Sequence, residues 1–295
     1  MLSAMPQVAV LTRYPQNHAS ARFREARPQL GVLLLDPFDL ELRLEAGQPA
    51  VWHQGRRLDC AGLSLVPRIG SLAPEYSLNV LEHLIAAGAL SLNPHPGLLR
   101  LRHKFTMLGA LAAAGLPVPD SVLLRSTGDL EAAVEALGGY PVVLKFVRGG
   151  QGVGVIKAPD GDTVRSVLEA LNLLQYDVLL QRFLPGAAQS DLRVLVLGGV
   201  ARWAIRRSSA GGRFRSNFHR GGSVEPAVID AATAELAQRA AAAFGLGLAG
   251  VDIADDAGRR YILEVNSSPG FEATEQAHGA DIAGAILDHA STFSP

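Results

Sequence analysis

Near its C-terminal end the chain reads YILEVNSSPGFE, from Tyr261 to Glu272. Tyr261–Val265 has the character of a strand, and side chains two apart on a strand share a face. Glu264 and Asn266 therefore reach one spot, just ahead of a Ser-Ser-Pro-Gly turn. A buried glutamate without a partner is costly, so that spot calls for a cation or a donor. Asp252, in GVDI, ends the preceding strand, and a short turn at Asp255–Gly258 brings it alongside. Two carboxylates and an amide oxygen are hard ligands that suit Mg2+, an ion that keeps waters and is shared with substrate phosphates. A Cys/His set for zinc is not offered. The competing reading pairs Asp252 and Glu264 with Arg259 or Arg260 on the surface of the hairpin.

A second group of residues has the chemistry of anion binding. Lys145 ends the apolar run VVLK and is followed by RGGQGVG. Gly149, Gly150, Gly152 and Gly154 let backbone N–H groups approach an anion closely, although a plain flexible hairpin has the same composition. The loop is not a Walker A sequence, since GKS and GKT are absent, and its spacing is not G-x-G-x-x-G. A protein kinase places its lysine after the glycine loop and needs HRD and DFG elements, which are missing. Lys104 opens a helix one lobe earlier and, taken alone, reads as an exposed helix residue. The stretch RRSSAGGRFRSNFHRGG, 206–222, concentrates Arg206, Arg207, Arg213, Arg215 and Arg220 among glycines and serines. A nucleic-acid platform needs a wider basic surface and more stacking aromatics than Phe214 and Phe218. The loop is therefore read as a local anion site in which arginine forks hold phosphate or carboxylate. His219 lies in it without a Ser or Cys nucleophile constellation, and reads as a structural loop histidine.

The elements that must position these groups follow from periodicity and turn chemistry. Strands are expected at 7–15, at GVLLLDP and at 63–70, with a helix over 76–90 whose Leu78, Leu81, Leu84 and Ile85 share a face. Strand–helix–strand alternation predicts a small parallel α/β lobe, ending near LNPHPG. A helix over 101–119, strands at SVLLR and 141–147, helices at DLEAAVEALG and 163–174, and a strand at 178–186 form a second lobe. Gly198-Gly199 predicts a hairpin within 191–209, Asp255–Gly258 a second one within 248–266, and helices are expected at ATAELAQRAAAAFGL and 281–290. The lobes are assigned as 1–97, 98–182 and 183–295.

Bulk properties narrow the function. The 295 residues carry a net charge of -1, with 48% hydrophobic and 19% charged residues, an ordinary globular balance without a broad field for nucleic acid or membrane. Cys60 is the only cysteine, so no internal disulfide is possible; it reads as a small buried residue in a protein of a reducing compartment. No signal-peptide layout opens the chain, and its apolar stretches fall short of a bilayer span, so a soluble cytoplasmic protein is expected.

The motifs together resemble the ATP-grasp superfamily, and within it the RimK-type α-L-glutamate ligases. The resemblance runs from VPRIG through VVLK, GGQGVGV, DLRVLVLG, RSNFHRGG, GVDI and EVNSSPG to GADIAG, nearly the whole chain. It implies an α+β ATP-grasp fold in which a pre-ATP-grasp α/β lobe precedes two lobes that clasp ATP. It also implies that Lys104 and Lys145 are the nucleotide-phosphate lysines and that 149–154 is a lid over the phosphates. Gln181, Arg182, Phe183 and Leu184 match the hinge whose backbone meets adenine, and Asp191 a further nucleotide contact. Arg215, Ser216 and Asn217 match a nucleotide-site motif, and Asp252, Glu264 and Asn266 the ligands of Mg2+ or Mn2+, two ions in the family. The hinge of the family reads Gln-Glu-aromatic. The arginine here is tolerable if backbone groups hold adenine, and alters nucleotide affinity or choice if the glutamate side chain contributes.

The implied reaction is ATP-dependent ligation of a carboxylate to an amine through an acyl phosphate, with ADP and phosphate released. Arg207 and Arg220 are candidates for holding the substrate carboxylate or the transferred phosphoryl group, Asn266 for catalysis, and Arg68, in PRIG, for the acceptor side. The implied partners are L-glutamate and either the acidic C-terminal tail of a ribosomal small-subunit protein or poly-α-glutamate, in a homo-oligomer that is often tetrameric, with no direct nucleic-acid or membrane partner. Ligation to a coenzyme, pterin or amino-group-carrier carboxylate is the alternative within enzymes. A nucleotide-binding regulator without turnover is the alternative outside them.

Overall fold

The computed structural model describes residues 8–126, 128–149, 154–173, 176–209 and 223–293. The chain opens with β1 (Val8–Leu11), four buried apolar residues, as a parallel strand covered on both faces requires. Then come α1 (His18–Ala26), capped by Asn17, whose side chain accepts from Ser20 N at 2.9 Å, and β2 (Leu33–Leu35). An antiparallel meander follows: β3 (Leu40–Glu45), β4 (Gln48–His53) and β5 (Arg56–Arg57). β6 (Ser64–Pro67), α2 (Glu75–Ala86) and β7 (Leu90–Ser91) complete a parallel sheet ordered β2-β1-β6-β7.

The expected parallel lobe is present, and Leu78, Leu81 and Leu84 of α2 are buried in it. The meander was not anticipated. Its first strand alternates charged with apolar residues, and its signal lay in the turns, where Ala46-Gly47 and Gln54-Gly55 each take two successive positive φ values, the type I′ geometry of a two-residue hairpin.

Two short helices come next, α3 (His95–Leu101) and α4 (Lys104–Ala113). The single helix expected over 101–119 is divided because the chain resets at His103, which is extended and caps α4 through its ring nitrogen. Lys104 thus stands at a helix start, and its backbone N donates to Val147 O at 2.8 Å. β8 (Ser121–Leu124), α5 (Leu130–Ala136), β9 (Val142–Phe146), β10 (Val155–Ala158), α6 (Gly161–Leu173) and β11 (Val178–Arg182) build an antiparallel sheet ordered β10-β9-β11-β8. Its core gathers Leu130, Val134, Val142, Leu144, Val164, Leu168, Val178 and Leu180.

After α7 (Pro185–Gln189), the strands β12 (Ser190–Leu197), β13 (Val200–Ser208), β14 (Ser223–Pro226), β15 (Leu248–Asp256) and β16 (Arg259–Asn266) form a five-stranded antiparallel sheet ordered β14-β13-β12-β15-β16. α8 (Ala231–Ala242) packs on it. Both hairpins fall where Gly198-Gly199 and Asp255–Gly258 place them. The short α9 (Glu272–His278) was not expected; α10 (Ile282–Ser291) was. α10 returns to the first sheet, where Ile282, Ile286 and Leu287 share a core with Val8, Val10, Phe23 and Val66. Cys60 is buried, and no helix among the described residues is long and apolar enough to cross a membrane.

Candidate active site

The site is built on one row of the five-stranded sheet. Arg193 on β12 lies directly opposite Asp252 on β15, and Asp252 directly opposite Glu264 on β16. Opposite residues in an antiparallel pair share a face, so the three side chains stand side by side. The ladder shifts by one residue just beyond Asp252, where Ile253 pairs with Ile262 and Leu263 is the extra residue of a bulge. Asn266 is opposite Gly250, and a Cβ on Gly250 would lie 2.8 Å from Pro269 Cβ. That position must therefore be glycine for the Ser267–Gly270 turn to fold back over the row.

Every carboxylate in this row is held by a cation. Arg193 makes a two-pronged contact with Asp252, 2.8 Å on each arm. Arg207 on β13 donates through Nε to Asp191 at 2.8 Å and through Nη2 to the other oxygen of Asp191, and the same Nη2 lies 3.0 Å from Asp252. Burial pushes the Asp252 carboxyl up, but Arg193 and Arg207 outweigh it and hold it down to about 2. Asp191, also buried, is shifted up by burial against the pull of Arg207. Arg207 is pushed above its ordinary value because the two carboxylates outweigh its burial. Its Nε and Nη2 are spent on those two carboxylates within the sheet.

The hairpin arginines take no part. Arg260 pairs with Asp230 and Arg259 lies over the Tyr261 ring, so the surface pairing of Asp252 and Glu264 with Arg259 or Arg260 does not occur.

The two lysines arrive from the preceding elements. Lys104 Nζ donates to Glu264 Oε1 at 2.8 Å and to Gly149 O at 2.9 Å. α4 is anchored for this contact by Met107, whose Sδ accepts from Val265 N. Gly149 has φ 146°, and its carbonyl also accepts from Ser71 Oγ at 3.2 Å, which ties the start of the glycine loop to the first lobe. Lys145 Nζ donates to Gln181 Oε1 at 2.6 Å, and Gln181 Nε2 to Ser121 Oγ at 2.8 Å. Burial pushes Lys145 down to about 8, against the pull of Glu264 and with the push of Lys104. Lys145 is thus within electrostatic reach of Lys104, Glu264, Asp252 and Asp191.

Of the residues expected at the hinge, Gln181 and Leu184 are buried. The Arg182 side chain is half exposed and 3.5 Å from Asp120, and its backbone N donates to Asp120 O at 2.9 Å. Lys157 sits over the Phe183 ring at 4.3 Å. Gly150, Gly152, Arg215, Ser216, Asn217, His219 and Arg220 lie outside the described residues. The reading from sequence missed Arg193. Its signal was a lone arginine within the apolar run DLRVLVL, where a charge must meet a partner. It also missed Asn93, whose buried amide holds Leu248 and Ser267 together and so fixes the turn beyond Asn266.

The donor set fits a magnesium-type ion. Glu264 and Asp252 are hard-oxygen donors on one face and Asp252 is kept ionised, while Asn266 Nδ2 is a buried N–H donor without a partner among the described residues and calls for an acceptor oxygen beside them. Among the described residues no three His, Cys, Asp or Glu side chains converge as a metal set.

Comparison with known proteins places these features in context. The family model of the RimK-like ATP-grasp domain matches residues 101–290, and that of the RimK PreATP-grasp domain residues 6–98. A probable alpha-L-glutamate ligase of Picosynechococcus sp. is 34% identical over 285 residues, spanning 96% of this chain and 94% of its own. A ribosomal protein bS6--L-glutamate ligase of Salmonella paratyphi B is 35% identical over 283 residues, 95% of this chain and 94% of that protein. Among solved structures, a RimK domain ATP-grasp protein from Sphaerobacter thermophilus superposes with a TM-score of 0.73 at 23% identity, over 96% of this chain and 98% of that one. The ATP-grasp ligase PsnB, solved with a precursor variant, Mg and ADP, gives 0.73 at 22% identity over 97% and 98%. The fold is therefore the α+β ATP-grasp fold.

Proposed function

The chain belongs to the RimK-like ATP-grasp family, and from that premise we propose that it is an ATP-dependent, ADP-forming ligase that adds L-glutamate through α-peptide bonds to an acidic protein tail or to glutamate itself. The observation that carries this reading is the Lys104–Glu264 contact beside Asp252 on the neighbouring strand, with Lys145 within electrostatic reach of all three. Gathering a triphosphate and a carboxylate sets like charges against one another, and the site must supply the opposing charge.

In this mechanism a carboxylate oxygen of the acceptor attacks the γ-phosphorus of ATP, the bond to the bridging oxygen breaks, and ADP leaves. The amine of the incoming amino acid then attacks the acyl carbon. Phosphate departs with the acyl oxygen, and the nitrogen gives up a proton as the amide forms. Lys104 and Lys145 neutralise phosphate oxygens. When a triphosphate arrives, each lysine must exchange a protein acceptor, Glu264 Oε1 or Gln181 Oε1, for a phosphate oxygen. Glu264, Asn266 and Asp252 would hold the divalent ion, which supplies charge neutralisation on the phosphates. Arg193 and Arg207 hold Asp252 ionised and oriented, and Asp191 in turn fixes Arg207. Arg220, with Arg215, Ser216 and Asn217, belongs to the basic loop assigned to the nucleotide and transferred phosphoryl group. No covalent enzyme nucleophile is needed.

The relatives' names support glutamate as the amino acid, and the bS6 ligase supports a protein tail as acceptor. Incubation with ATP, Mg2+ and each amino acid in turn, with and without a synthetic acidic peptide, tests the reading by mass spectrometry. Ladders spaced by one glutamate residue are expected. Phosphate release with another amino acid alone would overturn the specificity.

A further inference from the structure

Arg68 is the first residue after β6, and its backbone N donates to Leu11 O at 2.8 Å. It stands at the carboxyl edge of the parallel sheet, between β1 and β6. The strand order β2-β1-β6-β7 reverses there, because the chain leaves β1 for β2 on one side and returns to its other side as β6. In open α/β sheets this switch point is where ligands seat. The guanidinium Nη1 is buried and has no hydrogen-bond partner among the described residues, and no carboxylate among them pairs with it. Burial alone pushes it down to about 10. An arginine stays charged in proteins, so a desolvated one without a counter-ion is an expense the fold does not need.

What lies beside it is the far side of the candidate active site. The Phe271 ring is 5.7 Å from Arg68 Cζ, and Phe271 ends the turn that begins at Asn266, whose Nδ2 is likewise a buried donor without a partner among the described residues. Ile69, Gly70 and Ser71, which follow Arg68, line one cavity together with Arg102 and Glu264–Ser268. Ser71, Ser267, Ser268 and Arg102 contribute its polar wall, Ser71 Oγ and Arg102 Nη2 donating to Gly149 O and Ala73 O, and its one carboxylate, Glu264, is engaged by Lys104. Leu78, Leu98 and Leu101 complete an apolar wall, and with Glu264 engaged by Lys104 the Arg102 charge is the one in its lining not paired with a carboxylate there.

We infer that Arg68 is the docking group for a substrate carboxylate other than the one activated, held in a two-pronged guanidinium contact at the switch point of the first sheet while the reacting carboxylate and amine meet beside Asn266. The inference rests on the ligase reading above. The chemistry is shared by two sources, a carboxylate of the incoming L-glutamate and a carboxylate of the acceptor tail. A planar fork matches either.

The test uses the full chain with Arg68→Met and Arg68→Lys, measuring the thermal midpoint and the KM values for L-glutamate, an acidic acceptor peptide and ATP. Met keeps the apolar stem and removes a charge without a protein partner, so the midpoint should hold or rise. The KM for one carboxylate substrate should rise about 10- to 100-fold, with the KM for ATP unchanged. A rise for L-glutamate assigns the amino-acid carboxylate; a rise for the peptide assigns the acceptor. Arg68→Lys, which keeps the charge but loses the fork, should fall between. Unmoved KM values for both substrates, or a lowered midpoint with kcat and every KM disturbed alike, would overturn the inference. Should wild-type protein release no ADP with any amino acid, the ligase reading fails. Arg68 is then judged by whether L-glutamate or glutarate raises the midpoint of wild type but not of Arg68→Met, and equal shifts reject it.

Discussion

Lys104 and Glu264 are 160 positions apart in the chain, and their side chains meet at 2.8 Å. The contact joins the N-terminus of α4 to the edge strand β16, the two elements between which a nucleotide's phosphates are proposed to enter. On the proposed function it is a placeholder as much as a brace, since nucleotide and metal would compete for both partners. Lys104→Met should therefore weaken Mg-nucleotide binding by about tenfold or more while costing only about 1 kcal/mol of stability. Calorimetric titration and urea unfolding check the two halves, and equal affinity in the variant would contradict the assignment.

Lys145 provides a pH test. Its ordinary value is 10.5, and burial brings it to about 8 in the folded chain. Between those values the unfolded chain binds a proton that the folded chain does not, so this group's contribution makes stability rise with pH through that window. Below about 8 the cost of a buried charge is present in full. A bound phosphate favours the charged lysine, so nucleotide affinity should fall as pH rises above about 8, with proton uptake on binding. Titrations in buffers of different ionisation heat measure that uptake. Lys145→Arg, charged throughout, should bind with a flat profile, and the same slope in both proteins would reject the prediction.

The Arg193–Asp252 pair is buried and two-pronged, and removing one partner strands the other. Arg193→Met should cost on the order of 3 kcal/mol, and Asp252→Asn on the same background should cost less than it does alone. A double-mutant cycle in urea measures the coupling; strict additivity would mean that the two do not depend on one another.

At the hinge, Arg182 points to Asp120 and solvent while Gln181 caps Lys145. Arg182→Ala should leave nucleotide Kd within about twofold, because an exposed pair of this length contributes little. Gln181→Leu, which leaves Lys145 buried without its acceptor, should weaken binding about tenfold or more. The reverse order would assign adenine recognition to the arginine side chain.

How much of this was legible in the sequence depends on how far apart the interacting residues lie. The β15–β16 hairpin could be read because its alternation and its Ala257-Gly258 turn are local, and that placed Asp252 beside Glu264. The partners of those carboxylates could not be read, because Arg193 and Lys104 reach them through strand order and helix packing. Proximity in sequence pointed instead to Arg259 and Arg260, which the β-ribbon directs elsewhere. The β3–β5 meander was missed for a different reason. Its first strand carries Glu41, Arg43 and Glu45 at alternate positions, and only paired positive φ values at its turns betray it. α9 is short and offered little periodicity, and the break before Lys104 depends on a histidine cap, a weak sequence signal.

The central claim is that Glu264 takes part in holding the ion that neutralises the triphosphate. The measurement that bears on it most directly is ADP release by wild type and Glu264→Gln with ATP, Mg2+, L-glutamate and acceptor peptide. The substitution keeps shape and hydrogen bonding and removes the charge, so release should fall at least about 100-fold, with circular dichroism and thermal midpoint near those of wild type. Turnover of the variant at the wild-type rate would contradict the account.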